Sequence, residues 1–180
     1  MSTLLLPEIK YNKRELKEFV MHCVKNNKPI TNVDDSYIVY DSDFNATAYT
    51  AIRNQISLKG HINFKIVYLK KGINFLPHID NTSNGLTCKI IFPITGDFEV
   101  SPIDIYNPTK KNKSGKAISE TDAGEKIGSI VYRCPILLDT TIVHGVDNSS
   151  GGDRIVLSMC FHNTSFNDLA KMHYSNNLIV

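Results

Sequence analysis

The sequence predicts a mainly β protein, a sandwich or barrel preceded by helices. Two observations carry this. After Gly60 the chain reads as six or more short strand-like runs separated by turns, with no helical stretch between them, which argues against a parallel α/β sheet. Before Gly60 the apolar residues recur at helical spacing. Its 180 residues suit one domain, long enough to bury roughly 70% of its unfolded surface without disulfides or a structural metal.

From Pro7 to about Asn26, the residues Leu16, Phe19, Val20, Cys23 and Val24 place an apolar stripe among Lys and Glu, and Asn26-Asn27 closes it; this is one amphipathic helix. A second helix is expected from Phe44 to Leu58, where Ala48, Ala51, Ile52 and Ile56 alternate with polar residues and Gly60 gives the stop. The period then changes to two: Ile62, Phe64, Ile66 and Tyr68 share one face of a strand. Further strands are expected at 86–94, 98–105, 127–132, 136–139, 141–146 and 154–161. The polar, lysine-rich segment 107–126 reads as a long loop and a lid candidate, and Asp147 to Asp153 as a turn before the last strand. Residues 1–180 thus form a single domain, with 1–60 as helical support and 61–162 as the β core.

Composition narrows the function. Twenty Lys and Arg against eighteen Asp and Glu are too balanced for a dedicated nucleic-acid patch. Cys23, Cys88, Cys134 and Cys160 form no C-x-x-C pair, so neither a zinc ribbon nor a thioredoxin-like centre is expected. The start MSTLLLPEIK has no basic region and only three consecutive leucines, so neither a secretory signal nor a membrane partner is expected, and the location is expected to be cytoplasmic.

Chemistry concentrates at three places. In His78-Ile79-Asp80 the imidazole and the carboxylate lie two residues apart. On an extended chain they project from one side, with Cα atoms about 6.6 Å apart, within reach of one cation. His144 sits in the apolar run Thr141 to Val146. Two imidazoles and one carboxylate on one face of an octahedron leave three positions open, as in non-haem Fe(II) centres; the same ligands suit a tetrahedral zinc with one open position. Ten residues after His144, Arg154 heads the apolar strand Ile155 to Phe161. It points either to solvent, beside Asp153 or Asp147, or into the barrel, where its charge needs a carboxylate partner.

In order and spacing, His78, Asp80, His144 and Arg154, with the Tyr68-to-Gly72 approach and the Val143-to-Val146 strand, resemble the Fe(II)- and 2-oxoglutarate-dependent dioxygenase superfamily, in its compact prolyl-hydroxylase-like branch. The resemblance runs from about Ile62 to Phe161. It implies a double-stranded β-helix (a jelly roll or cupin-like barrel) with the N-terminal helices outside one sheet. It also implies Fe(II) on His78, Asp80 and His144, 2-oxoglutarate on Arg154, and O2 as co-reactant. Tyr68, taken to face inward, is a second cosubstrate contact. Ser158 is another: it lies four residues after Arg154, whereas many members carry Ser or Thr two residues after it, where this chain has Val156. The implied reaction is hydroxylation or demethylation rather than halogenation, because Asp80 is a carboxylate ligand. The primary substrate is a protein side chain, a nucleobase or a small molecule, with a peptidyl residue favoured.

Two rivals stand beside this reading. A cupin-like metalloprotein would carry a His-x-His pair, which is missing here. A non-enzymatic jelly-roll binding or structural module would make His78 and Asp80 incidental. His22, His61, His162 and His173 are read as surface or capping residues, and Phe75, Phe92, Phe98 and Phe161 as core.

Overall fold

The structure is a computed structural model that describes residues 2–27, 29, 31–33, 37–41, 47–58, 60–80, 85–108 and 120–179. In chain order the elements are β1 (Thr3–Leu5), α1 (Lys13–Asn26), β2 (Thr31–Val33), β3 (Tyr37–Asp41), α2 (Thr47–Arg53), β4 (Ile62–Leu69), β5 (Phe75–His78), β6 (Leu86–Thr95), β7 (Ile103–Asn107), α3 (Glu120–Ala123), β8 (Glu125–Ile130), β9 (Ile136–Asp139), β10 (His144–Val146), β11 (Arg154–His162) and α4 (Phe166–Tyr174).

Two antiparallel sheets face each other. One has the order β1-β9-β6-β11-β4-β3-β2 and the other β5-β10-β7-β8. From β4 onward the chain passes back and forth between them, so that sequence neighbours such as β4 and β5, or β10 and β11, lie in opposite sheets. This is the winding of a double-stranded β-helix, as expected.

Burial explains the arrangement. Strand β11 is flanked by β4 and β6 along its length and is buried from Arg154 to Phe161. Its odd-numbered residues Ile155, Leu157, Met159 and Phe161 join Ile62, Phe64 and Ile66 of β4 and the inner faces of α1, α2 and α4 in one core outside the large sheet. Tyr49 of α2 stacks on Phe64 at 4.4 Å, and each fully buried side chain of this kind contributes about 1.5–3 kcal/mol. On the other face, Val156, Leu69 and Ile91 meet Ile103, Ile105 and Val146 of the small sheet. Arg154 and Ser158 share that inward face with Val156, because alternate strand residues point the same way.

Several elements differ from expectation. Helix α1 begins at Lys13, not Pro7, because Asn12 caps it by accepting from the Glu15 amide at 3.2 Å. Helix α2 is shorter than 44–58; the first part of that range lies outside the described residues, and beyond Arg53 its guanidinium donates to the Ile56 and Leu58 carbonyls. Residues 1–60 are not purely helical, since β1 pairs with β9 and β3 with β4. The strand expected from 98 is delayed to Ile103 because Asp97 Oδ1 accepts from the amides of Glu99 and Val100 and holds a turn. Of the expected 107–126 loop, the stretch 109–119 lies outside the described residues, while α3 and the start of β8 occupy its end.

Candidate metal centre

Strands β5 and β10 bring the two histidines together. In their antiparallel ladder His144 stands opposite His78, and directly paired residues share a face. Asp80 follows just past β5, its amide donating to the Thr140 carbonyl at 3.2 Å. Between His78 and Asp80, Ile79 turns the other way and packs with Ala123 and Val143, so the two flanking side chains share the opposite side.

The donor atoms converge. His78 Nε2 lies 3.2 Å from Asp80 Oδ1 and His144 Nε2 lies 3.9 Å from it, and the three ligand atoms lie within 4.8 Å of one another. Each Nδ1 instead faces the carbonyl two residues earlier, Leu76 for His78 and Ile142 for His144, both at 2.9 Å. Donation of Nδ1–H to those carbonyls fixes the tautomer and leaves both Nε2 lone pairs free for a cation. His144 Nε2 is buried with no hydrogen-bond partner.

Electrostatics suit the same purpose. Burial, joined by repulsion from His78, pushes His144 down to about 3, so its imidazole is neutral and able to ligate at physiological pH. Burial acts to raise Asp80, but the ammonium of Lys89 outweighs it and holds the carboxyl well below its usual range. Lys89 Nζ, from β6, lies 2.7 Å from Asp80 Oδ2.

Further along the interior, Arg154 is buried at 6% exposure. It does not pair with Asp153, whose carboxylate accepts from Tyr68 Oη and the Lys71 amide. Instead Nη2 donates to Tyr132 Oη at 2.6 Å, and Cζ lies 5.0 Å from the Phe98 ring centroid. Arg154 Nε is buried without a partner, and no carboxylate of the described residues pairs with the guanidinium. A bound carboxylate would complete it.

The orientation expected for Tyr68 is corrected here. It pairs with Ile155 in the β4–β11 ladder, so it lies on the helix-covered face with Ile66, and not on the face of Arg154. Ser158 does lie on that inward face, opposite Lys65 of β4 and Ile91 of β6. Tyr132 and Lys89 had no signal in a motif. Tyr132 follows the end of β8, and Lys89 is a charged residue in the otherwise mostly apolar β6.

The residues present fit a divalent cation, because a neutral buried nitrogen without a partner converges with a second one and a carboxylate oxygen. No family model matches this chain, and no curated protein matches it in sequence. Solved structures do match in fold. HygX from Streptomyces hygroscopicus, with nickel and 2-oxoglutarate bound, aligns at a TM-score of 0.61 and 13% identity over 91% of this chain and 83% of that one. The epimerase SnoN, in complex with Fe3+, alpha ketoglutarate and nogalamycin RO, aligns at 0.60 and 8% identity over 90% and 79%. A Pseudomonas putida prolyl-4-hydroxylase aligns at 0.55 and 8% over 91% and 93%. The chain has the double-stranded β-helix fold of these proteins, and His78, Asp80 and His144 converge within it as a cluster able to hold a metal ion.

Proposed function

We propose that this protein is an Fe(II)- and 2-oxoglutarate-dependent oxygenase that hydroxylates or demethylates a primary substrate while 2-oxoglutarate is decarboxylated to succinate. The observation that carries this is the pair of buried groups in one barrel left incomplete by the described residues: His144 Nε2 without a hydrogen-bond partner, and the Arg154 guanidinium without an acid. A cation answers the first and a carboxylate the second. A zinc site would explain the histidines but would leave Arg154 unexplained.

His78, Asp80 and His144 would hold Fe(II) as neutral or singly charged donors. Bound iron supplies oxygen activation and the oxidative decarboxylation of the cosubstrate. Arg154 would bind the distal carboxylate of 2-oxoglutarate. Tyr132, whose oxygen accepts from Arg154, keeps its own proton to donate to the same carboxylate. Burial raises the Tyr132 phenol, with Arg154 partly offsetting it, so the hydroxyl is protonated at neutral pH. Ser158 is a further contact from the same strand face, and the rings of Phe98 and Tyr132, 5.0 and 5.9 Å from Arg154 Cζ, cover the guanidinium.

A peptidyl residue is the first substrate class to test, because this compact chain aligns with nearly the whole prolyl hydroxylase. Among the described residues no helix is long and apolar enough to cross a membrane. The four cysteines are free thiols, which supports a reducing, cytoplasmic setting.

Anaerobic titration of apo-protein with Fe(II) and then 2-oxoglutarate tests the reading. The visible charge-transfer band of a chelated 2-oxo acid is expected in the parent, absent in Asp80→Ala, and displaced to much higher cosubstrate concentration in Arg154→Ala. A folded parent protein that gives no band overturns the assignment.

A further inference from the structure

We infer that Lys89 is a positioning residue that makes Asp80 a one-oxygen ligand and so keeps three metal positions open. The inference rests on the iron reading above and adds a residue to it.

Lys89 comes from the centre of the large sheet. It stands opposite Cys160 of β11 and Leu138 of β9, and its side chain is only 13% exposed. An ammonium so deeply placed needs a partner, and among the described residues that partner is Asp80 Oδ2, at 2.7 Å. The two carboxylate oxygens therefore have different tasks. Oδ1 faces the nitrogens of His78 and His144, at 3.2 and 3.9 Å, while Oδ2 is drawn off toward β6. For Asp80 to chelate a metal through both oxygens, Oδ2 would have to leave Lys89 and strand its charge in the interior.

The consequence is a matter of counting. A six-coordinate metal with three protein donors has room for a two-atom chelate and one further small ligand. With four protein donors, the chelate fills the shell. Lys89 thus acts on how many ligands the site accepts, through Asp80, without touching the reacting atoms.

Nitric oxide reports this directly, being an uncharged ligand that needs one open position and gives a spin-quartet EPR signal on Fe(II). Wild-type, Lys89→Met and Lys89→Arg proteins are loaded anaerobically with Fe(II) and saturating 2-oxoglutarate, then exposed to nitric oxide, with circular dichroism to confirm folding. Wild-type and Lys89→Arg are expected to give the full signal. Lys89→Met is expected to bind Fe(II) and give a full nitric oxide signal without 2-oxoglutarate, but to lose most of it with the cosubstrate present. An equal signal in Lys89→Met and wild-type overturns the inference. So does a folded Lys89→Met that no longer binds Fe(II), since Lys89 would then build the site rather than limit Asp80. Absence of the 2-oxo acid band in wild-type is a different failure, that of the oxygenase reading itself.

Discussion

His144 lies directly across the β5–β10 ladder from His78, their ring centroids 4.4 Å apart. The close approach of the two strands depends on Gly145. A Cβ there would stand 2.8 Å from the Phe75 carbonyl oxygen and 3.2 Å from Pro77 N, both backbone atoms. Gly145→Ala is therefore expected to push β10 away from β5, destabilise the fold by about 1–3 kcal/mol, and weaken metal binding by roughly 10–100-fold. Calorimetric titration with Co(II) checks this, with Gly128→Ala as the control, since a Cβ at Gly128 meets nothing within 4 Å. Equal Co(II) affinity in both variants would sink the idea.

The two tyrosines separate the two faces of the large sheet. Tyr132 Oη accepts from buried Arg154, whereas Tyr68 Oη donates to Asp153 on the far side. Tyr132→Phe removes one hydrogen bond to a charged group and one donor to the cosubstrate, so 2-oxoglutarate affinity should fall by roughly 15–150-fold, the ~1.5–3 kcal/mol such bonds carry. Tyr68→Phe should cost about 0.5–1.5 kcal/mol of stability and leave cosubstrate affinity unchanged. Titration of the charge-transfer band in both variants decides it, and the reverse order would restore Tyr68 to the site.

How much of this was legible in the sequence follows from burial. Strands β4, β6 and β11 were readable because each is an apolar run long enough to show its period, and β9 matches its expected limits because Ile136, Leu137 and Leu138 are apolar without a break. Strand β5 was not, since Phe75–His78 is four residues with Pro77 inside, and β1 and β2 have three residues each. Helix α4 carried a signal that went unused: Ser165 Oγ accepts from the Asp168 amide at 3.1 Å and donates to its carboxylate at 2.6 Å, the Ser-x-x-Asp signature of a helix start. His78, Asp80, His144 and Arg154 were legible because the His-x-Asp spacing is local and His144 and Arg154 follow in apolar runs ten residues apart. Tyr132 and Lys89 reach the site only through the winding of the sheets, which places β6 and the end of β8 beside β11 and β5.

Acid should weaken the fold through His144. Burial, with repulsion from His78, lowers it to about 3, against an unfolded value near 6.5. Below about 6.5 the unfolded chain takes up a proton that the folded one refuses, so stability falls as pH falls, down to the folded value near 3. Asp80, depressed in the fold, adds a loss of the same sign, but only as pH passes below the ordinary carboxylate range. Denaturant melts of metal-free protein at pH 7 and 5 should show a loss on the order of 2 kcal/mol attributable to His144, largely abolished in His144→Gln. An equal loss in parent and variant would remove His144 as its source.

Arg154 predicts a trade between stability and binding. Its guanidinium is buried with one phenolic partner, a partnerless Nε and no acid among the described residues, a state costly in a protein interior. Replacement by Met keeps the volume and removes the charge, so the metal-free, ligand-free protein should gain about 1 kcal/mol or more. Tyr132 loses its partner in that variant, and adding Tyr132→Phe should recover that loss. The same change should abolish the stabilisation that 2-oxoglutarate gives to Fe(II)-loaded protein, about 2.7 kcal/mol at a hundredfold excess over Kd. Anaerobic thermal melts with and without cosubstrate measure both effects. A lower midpoint for Arg154→Met without ligand, together with an undiminished 2-oxoglutarate shift, would mean that the residue serves the barrel and not the cosubstrate. A higher midpoint with no shift would mean that the barrel tolerates a buried charge because a carboxylate comes to meet it.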